Sequence, residues 1–436
     1  MSTLPKGWIE TTLGDIANVV TDYVANGSFA SLKENVTYKQ EKDFARLIRL
    51  VDYNKNYKGD AIYVDENSYT FLKKSQLEPN DIIISNVGEY SGTVFRAPKL
   101  NIPMTLGPNA ILVKFSNDDF MYYFLKSNIG QYLINTIKSG SANPKFNKTD
   151  FKKIKLTIPE SPSEQKEIAS ILSSFDKKIE LLKEQNQTLE TMAQTIFKEW
   201  FVDFNYPNAT GEMIDSEMGE IPKGWRVGIF DEIIEFINGY AFKSDELEKV
   251  EDIDSYAIFK MGHIKKGGGF NPTKTKDYIS KNQCTKLEKY ILKSGDILMC
   301  MTDMKDSTSL LGHTALMFED EKYIVNQRVG LIRPNNNVDI NYPWLYILTN
   351  SHGFISDLRN RANSGVQINL STSEIKNTKI IIPDKETNKL FNLLTLPIFE
   401  KMKNIYFQIQ TLEETRDSLL PKLMSGKTRI QGFKVD

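Results

Sequence analysis

Pro5-Lys6-Gly7-Trp8 stands near the start of the chain and recurs as Pro222-Lys223-Gly224-Trp225. A second pair of matching stretches, Gln187-Thr188-Leu189-Glu190 and Gln410-Thr411-Leu412-Glu413, is separated by the same distance of about 220 residues. This period is far longer than that of a solenoid repeat, so it predicts one unit, a domain followed by a long helix, that is used twice. A chain of this kind has approximate two-fold symmetry, which suits a target that is itself made of two halves.

Length, charge and cysteine content limit the classes of protein that fit the chain. Its 436 residues are too many for one core and predict two or three domains. The net charge of −1 excludes a uniformly basic nucleic-acid binder but not one with basic loops. No apolar run approaches the ~20 residues of a spanning helix and no signal segment is evident, so we expect a cytoplasmic protein without a membrane partner. The two cysteines, Cys284 and Cys300, argue against a disulfide framework or a cysteine-based zinc site.

Short apolar runs bounded by glycine, proline and asparagine recur in the same order in both copies and predict strands. Between these shared runs the two copies diverge almost completely, as expected if each half carries a different recognition surface. We therefore predict an α+β fold with two mixed α/β domains related by pseudo-two-fold symmetry, at residues 1–160 and 207–385. The expected strands lie at residues 81–84, 110–113 and 155–159 in the first copy and at 295–298, 330–333 and 379–383 in the second.

Residues 161–206 and 386–436 each predict a long helix, because apolar side chains recur there at alternating steps of four and three. A helix of about 40 residues would be about 60 Å long and could not bury such a seam against itself. The two helices are therefore expected to pair as an antiparallel coiled coil that separates the domains; alternatively, each lies on its own domain. The expected seam consists of Ile168, Leu172, Phe175, Ile179, Leu182, Leu189, Ala193, Ile196 and Trp200 in the first helix, and of Phe391, Leu394, Ile398, Met402, Ile405, Ile409, Leu412, Leu419 and Leu423 in the second.

Two polar or helix-breaking residues interrupt this pattern. Asn186 occupies a seam position, where it either sets the register of the pair or faces solvent. Pro397 predicts that the second helix starts late or is kinked.

Motifs of catalysis are incomplete in this sequence. Asn143-Pro144-Lys145-Phe146 differs from the Asn-Pro-Pro-Phe/Tyr motif of adenine methyltransferases by its lysine, no glycine-rich cofactor loop accompanies it, and we interpret it as a turn. Pro383-Asp384, with Glu386 and Lys389, has the wrong spacing for a nuclease site. The three histidines, all in the second copy, lack the spacing of metal ligands. We expect no active site, metal or cofactor in this chain.

Irregular polar segments between the shared elements are the candidate binding loops. Residues 85–92 join two predicted strands of the first copy, and residues 301–312 occupy the matching place in the second. A polar, partly basic run with few acidic neighbours lies near the end of each domain, and the glycine loop 265–269 is also basic. Their side chains can contact phosphates and base edges. The candidate DNA contacts are Asn86, Tyr90, Ser91, Lys138, Ser139, Lys145 and Lys148 in the first copy and Lys265, Lys266, Lys305, Arg359, Arg361, Asn363 and Gln367 in the second.

The order of these motifs resembles that of the specificity (S) subunits of type I restriction-modification systems. The resemblance rests on the two Pro-Lys-Gly-Trp openings, on Phe236-Ile237-Asn238-Gly239-Tyr240-Ala241-Phe242-Lys243, on Gly295-Asp296-Ile297-Leu298 followed by Val325-Asn326-Gln327-Arg328, and on Ser163-Glu164-Gln165-Lys166-Glu167-Ile168 before the first helix. It covers essentially the whole chain. The first half departs from the pattern, with Gly107-Pro108-Asn109 in place of Asn326-Gln327-Arg328.

The resemblance implies a division of labour among subunits. Each domain would be a target recognition domain that reads one half of a split, asymmetric DNA sequence, and the helices would set the gap between the halves. Two methyltransferase subunits, which hold S-adenosylmethionine, would dock on this chain, and two motor-nuclease subunits would supply ATP- and Mg²⁺-dependent cleavage. Two other interpretations remain open: a DNA methyltransferase or nuclease with a cryptic active site, and a coiled-coil scaffold without a role on DNA.

Overall fold

The computed structural model describes residues 4–304, 309–335, 339–362 and 367–429. The chain divides into two compact units. Unit 1 consists of Met1–Leu181 and Gln410–Asp436, and unit 2 of Leu182–Ile409. The chain passes from one unit to the other inside its two long helices, so each unit contains a part of both.

The Pro-Lys-Gly-Trp stretch forms the same turn in both units. The tryptophan N–H donates to the proline carbonyl, at 3.1 Å in the first copy and 3.0 Å in the second. The glycine between them has a φ of +74° in the first copy and +95° in the second. This is the third position of a type II turn, where a positive φ requires glycine. The turn delivers each tryptophan, 6% and 3% exposed respectively, into the core.

The described residues of unit 1 form three sheets. The strand orders are β1-β11, β2-β10-β7-β8 and β3-β5-β4-β9-β6, and within the last sheet β4 and β9 run parallel. The elements are β1 Trp8–Thr12, α1 Leu13–Ile16, β2 Ala17–Asp22, α2 Phe29–Asn35, β3 Tyr38–Lys39, β4 Ala45–Ile48, α3 Leu50–Asn54, β5 Ile62–Val64, α4 Glu66–Phe71, β6 Gln76–Leu77, β7 Ile82–Ser85, β8 Val94–Arg96, β9 Met104–Leu106, β10 Ala110–Phe115, α5 Asp118–Lys126, α6 Asn128–Thr136, α7 Lys148–Lys152, β11 Lys155–Pro159 and the start of α8 Pro162–Phe201.

Unit 2 repeats this frame with a smaller peripheral sheet. Its strand orders include β14-β24, β15-β22-β18-β20 and β17-β16-β21, with β16 and β21 parallel, and two pairs, β12-β13 and β19-β23. The elements are β12 Met213–Ser216, β13 Gly219–Pro222, β14 Arg226–Ile229, β15 Ile234–Asn238, β16 Ser255–Phe259, β17 Tyr278–Ser280, β18 Ile297–Cys300, β19 Thr302–Met304, β20 Thr314–Leu316, β21 Tyr323–Val325, β22 Val329–Pro334, α9 Tyr342–Thr349, α10 His352–Arg361, β23 Gln367–Asn369, α11 Thr372–Lys376, β24 Lys379–Ile382 and α12 Lys385–Met424.

The two units therefore share one topology, and the α+β prediction is confirmed. The sheet β2-β10-β7-β8 matches β15-β22-β18-β20 strand for strand, and the pair β1-β11 matches β14-β24. All six strands expected from the sequence are present as β7, β10, β11, β18, β22 and β24. The middle strands of the four-stranded sheets, β7 and β10 in unit 1 and β18 and β22 in unit 2, are almost fully buried and form the centre of each core.

Both long helices are continuous and 40 residues long. The expected late start of the second helix is wrong, because α12 begins at Lys385, well before Pro397. Asp384 fixes this start, since its carboxylate accepts the Thr387 N–H at 2.9 Å and the indole N–H of Trp225 at 2.9 Å. Burial opposes ionisation of Asp384, but these hydrogen bonds outweigh it and lower the pKa. The residue that resembled part of a nuclease site is therefore a helix cap.

The two helices pack against each other in unit 1. Ile168 and Leu172 of α8 belong to the same apolar cluster as Leu423 and Met424 of α12. An ion pair of 2.7 Å joins Asp176 on α8 to Arg416 on α12, and Asp176 also accepts the Tyr123 hydroxyl at 2.7 Å. The residues in contact come from the early part of one helix and the late part of the other, so the pair runs antiparallel here.

The helices also pack against each other in unit 2. The Phe391 ring of α12 lies 4.9 Å from Phe201, 5.9 Å from Trp200 and 6.0 Å from Phe197, all on α8. The same cluster includes Trp344 of α9, whose ring is 5.8 Å from Phe197. Each helix thus contacts both its counterpart and a domain, and the interpretation in which each lies only on its own domain is wrong.

Burial along the helices departs from the expected seam at one point. Leu394 is 49% exposed, because the buried stripe at the start of α12 passes instead through Phe391, Thr395 and Phe399. Asn186 is half-buried and its side-chain oxygen has no hydrogen-bond partner among the described residues. Of the remaining expected positions, Ile168, Leu172, Ile179, Leu182, Ala193, Trp200, Phe391, Met402, Ile405 and Leu423 are buried, and Phe175, Leu189, Ile196, Ile398, Ile409, Leu412 and Leu419 are half-buried.

Candidate nucleic-acid interface

Two irregular segments of unit 1 meet at the end of the four-stranded sheet, and we call them the unit 1 loop pair (residues 86–92 and 138–148). The backbone of Gly88 donates to Pro144 at 2.9 Å, and that of Phe146 donates to Asn86 at 3.1 Å. The Asn86 side-chain amide donates to the Phe146 carbonyl, also at 3.1 Å. Asn86 therefore joins the two loops, and its amide N–H is already used inside the protein.

Lys138 fixes the shape of the first loop. Its ammonium donates to the carbonyl of Ser91 at 2.6 Å, and burial lowers its pKa. Ser91 is itself 5% exposed, so neither residue is presented to solvent as the sequence suggested. Tyr90, between these anchors, is 60% exposed and forms the tip of the loop. An exposed ring on a fixed loop offers a flat apolar face to a ligand.

The remaining candidates of unit 1, Ser139, Lys145 and Lys148, differ in their contacts and exposure. Lys148 forms an ion pair of 2.8 Å with Asp22, which neutralises it. Ser139 and Lys145 pair through their backbones across a tight turn, with 2.9 Å in both directions, and both side chains are exposed. This turn contains the stretch that resembled a methyltransferase motif, so its interpretation as a turn is confirmed. Of the three lysines predicted to contact DNA in unit 1, Lys145 has an exposed side chain, whereas Lys138 and Lys148 are half-buried.

Unit 2 contains the matching arrangement, which we call the unit 2 loop pair (residues 301–304 and 309–312 with 359–362 and 367–370). Strands β19 and β23 pair within it, and the hydroxyl of Thr302 donates to the side chain of Asn369 at 2.8 Å. The Leu370 N–H donates to the Met301 carbonyl at 2.9 Å. In both units, therefore, the segment that follows the central strand is bonded to the segment near the end of the domain.

The two predicted arginines of this loop pair are held inside the protein. Arg359 donates to the Leu311 carbonyl at 3.0 Å and so positions the first loop. Arg361 donates to the Glu374 carbonyl at 2.9 Å and to the Thr378 hydroxyl at 2.8 Å, and it is ion-paired with Asp357. Lys305 and Asn363 lie outside the described residues. Gln367 opens β23, and its side chain is outside the description as well.

The glycine loop of unit 2 is an ordered turn. Lys265 and Gly269 are joined by a backbone hydrogen bond of 2.9 Å, and Gly269 donates to Thr314 on β20 at 2.9 Å. All three glycines have φ between +86° and +96°. A Cβ on Gly268 would lie 2.8 Å from the side chain of Asn350, so only glycine fits there. Lys265 and Lys266 are exposed at this turn.

Sequence reasoning missed a further turn that contacts each loop pair. In unit 2 the turn 326–328 precedes β22, and the Met301 N–H donates to the carbonyl of Arg328 at 3.0 Å. In unit 1 the turn 107–109 precedes β10, and the Asn86 N–H donates to the carbonyl of Asn109, also at 3.0 Å. These stretches had been matched to each other in the sequence. That match was the signal that could have identified them as parts of the site.

His263 occupies a structural position. His263 is 1% exposed, stacks on Phe259 with ring centres 5.0 Å apart, and its imidazole nitrogens contact Lys260 and Thr275. Burial lowers its pKa, as it does that of His313. Within the described ranges, no group of three or more His, Cys, Asp or Glu side chains is placed to hold a metal ion. No described helix has the length and apolar character needed to cross a membrane.

Comparison with known proteins places this chain in a family. The family described as "Type I restriction modification DNA specificity domain" matches residues 5–191 and again residues 222–415. The MjaIX specificity subunit of a type I restriction enzyme from Methanocaldococcus jannaschii is 26% identical, over 98% of this chain and 95% of that protein. The HindI specificity subunit from Haemophilus influenzae is 25% identical, over 74% of this chain and 80% of that protein.

A solved structure shares the fold. The crystal structure of the S subunit of a type I restriction-modification system from M. genitalium superimposes with a TM-score of 0.56 at 15% identity, covering 97% of this chain and 99% of that one. The family match spans most of the chain and occurs twice, at the positions of the internal repeat. The chain therefore belongs to the family of type I restriction-modification DNA specificity proteins.

Proposed function

We propose that this chain is a non-catalytic subunit that recognises DNA sequence within a type I restriction-modification complex. Each loop pair would read one half of a bipartite, asymmetric site. The observation that carries the proposal is the repeated loop pair: the same backbone arrangement occurs in both units, at the end of the same sheet, but with different side chains. A fixed backbone frame with unlike side chains is suited to reading two unlike sequences.

The exposed residues of the loop pairs have the chemistry that such recognition needs. In unit 1, Tyr90, Ser139 and Lys145 are exposed. Lysine neutralises phosphate, and hydroxyl groups can donate to or accept from base edges. In unit 2 the exposed positive charge lies outside the loop pair, on Lys265 and Lys266 of the glycine loop that is bonded to β20. Lys138, Lys148, Arg359 and Arg361 support the loops through internal bonds, and we assign them to positioning.

The helices would set the gap between the half-sites and bind the methyltransferase subunits. In this proposal residues 1–160 and 207–385 are the target recognition domains, and residues 161–206 and 386–436 are the spacer regions that form a coiled coil. Exposed apolar side chains on the helices support a docking role, since Leu393 and Leu394 of α12 are 64% and 49% exposed and Met192 of α8 is 49% exposed. Two methyltransferase subunits would bring S-adenosylmethionine, and two motor-nuclease subunits would bring ATP and Mg²⁺, to a complex in the cytoplasm.

Selection from a random duplex pool tests this proposal. The full chain, reconstituted with its methyltransferase subunits, should enrich a split sequence: two short specified halves, unlike each other, separated by a gap of fixed length and free composition. The reason is that two separate loop pairs contact DNA about one or more helical turns apart, roughly 34 Å per turn. Sequencing of the retained duplexes measures the motif.

The same experiment separates the other interpretations. A scaffold without a role on DNA would enrich no sequence. A methyltransferase or nuclease with a cryptic site would bind S-adenosylmethionine, or cut DNA with Mg²⁺, when this chain is purified alone. Either result, or enrichment of a single continuous sequence, would contradict the proposal.

A further inference from the structure

Arg328 has an unusual backbone conformation for its residue type. Its φ is +70°, in the left-handed region, where a side chain with a Cβ is disfavoured. The residue in the same place in unit 1 is Asn109, with a φ of +67°. Asparagine is among the residues that tolerate this region, whereas arginine is not. Unit 1 therefore has at this turn a residue that tolerates a positive φ, Asn109. Unit 2 has Arg328, whose backbone is strained there.

The surrounding backbone imposes this conformation. The Asn326 N–H donates to Phe259 at 3.0 Å, the Gln327 N–H to Tyr240 at 2.8 Å, and the Arg328 carbonyl accepts from Met301. A Cβ on Gly239 would lie 2.0 Å from the Asn326 carbonyl, so the two segments are in close backbone contact. The turn is thus held on three sides, and Arg328 cannot relax to a negative φ without breaking these contacts.

The position of the turn connects Arg328 to the unit 2 loop pair. Its carbonyl is bonded to Met301, which directly precedes β19, and the Met301 carbonyl in turn accepts from Leu370, which directly follows β23. The Arg328 side chain is exposed and makes no hydrogen bond or ion pair with the part of the chain that the structure describes. By contrast, the guanidinium groups of Arg359 and Arg361 are bonded internally.

We propose that Arg328 binds a backbone phosphate of the DNA duplex and thereby fixes the orientation of unit 2 on its half-site. This inference rests on the proposed function and names a residue for it. In this proposal the strained turn is retained because it places the free, planar guanidinium of Arg328 beside the unit 2 loop pair. The guanidinium groups of Arg359 and Arg361 already donate to backbone carbonyls. A phosphate contact is proposed because a guanidinium donates to phosphate oxygens irrespective of the base sequence.

The test compares three variants of the full chain, reconstituted with its methyltransferase subunits, on the duplex enriched by the selection above, on single base-pair variants of it and on a random-sequence duplex, at several salt concentrations. Arg328→Asn removes the charge and places the residue of unit 1 in the same turn. Arg328→Lys keeps the charge. Lys223→Asn is the control for the loss of one positive charge, because Lys223 is an exposed residue of unit 2 that directly follows β13 and is ion-paired with Glu212. Fluorescence anisotropy gives the affinity, and thermal unfolding gives the stability.

We expect Arg328→Asn to weaken binding about tenfold for all sequences alike and to reduce the slope of log K against log salt by about 0.9. Its melting temperature should equal or slightly exceed that of the unsubstituted chain, because asparagine relieves the strain. Arg328→Lys should keep the slope, and Lys223→Asn should change neither affinity nor slope.

Other outcomes would overturn the inference. An Arg328→Asn variant that behaves like Lys223→Asn removes Arg328 from the interface. Loss of preference at one base pair with an unchanged salt slope identifies a base contact instead, and a lowered melting temperature identifies a structural role. If the unsubstituted complex does not bind DNA, the proposed function itself fails, so the two failures are distinguishable.

Discussion

Replacing Phe391 by alanine should lower the free energy of unfolding of unit 2 by about 3–5 kcal/mol. Phe391 is fully buried at the point where α12 meets α8, and its ring contacts Phe197, Trp200 and Phe201. The substitution removes a large apolar side chain from a packed aromatic cluster, and the neighbouring rings can fill the cavity only in part. The loss is therefore the transfer free energy of the ring plus the cost of a cavity.

Urea unfolding followed by tryptophan fluorescence measures this effect, because three of the four tryptophans, Trp200, Trp225 and Trp344, lie in unit 2. Leu393→Ala is the control, since Leu393 is two residues away on the same helix and 64% exposed. Its free energy of unfolding should change by less than about 0.5 kcal/mol. Equal losses in the two variants would contradict the packing of α8 on α12 described above.

Exchange of residues 207–385 for the corresponding domain of another family member should replace one half of the recognised sequence and leave the other half unchanged. The physical reason is that the contacts of the unit 2 loop pair are made within unit 2 and those of the unit 1 loop pair within unit 1. No base contact of one half would then depend on side chains of the other. This is the largest functional effect that we expect, since the original site should no longer be bound or modified.

The control carries the native residues 207–385 joined through the same junction sequences as the chimaera. It should recognise the original DNA sequence. Selection from a random duplex pool measures the recognised sequence of the chimaera and of the control. A change in both halves would mean that the two domains do not read independently, and an unchanged site would place recognition outside residues 207–385.

The repeated frame could be predicted from sequence because it depends on local chemistry. Gly7 and Gly224 are needed by a turn with positive φ. The strands β7, β10, β18 and β22 are apolar runs bounded by glycine, proline or asparagine. The long helices follow from the regular spacing of apolar side chains. These features do not require knowledge of distant contacts, and they reappear in the structure at the expected residues.

The candidate site was predicted less well, because the position of a charged residue in the sequence does not reveal whether its side chain is exposed or bonded inside the protein. Arg359 and Arg361 were predicted to contact DNA, yet both donate to backbone carbonyls that the fold brings near. Arg328 was overlooked because its distinguishing property, a positive φ, depends on contacts with Tyr240, Phe259 and Met301 that lie far away in sequence. The exposure of Leu394 was missed for a similar reason, since neighbouring Phe391 and Phe399 bury the other side of the helix.

In the proposed function, the two long helices set the gap between the two half-sites that the recognition domains read. Deletion of residues 182–188 together with 405–411 removes one heptad from each helix, which shortens each by about 10 Å. Mapping of methylated adenines in a host that carries the shortened chain and its partner subunits should return the same two half-sites with a gap shorter by up to about three base pairs. An unchanged gap, or a methylated sequence without two separate halves, would contradict the account.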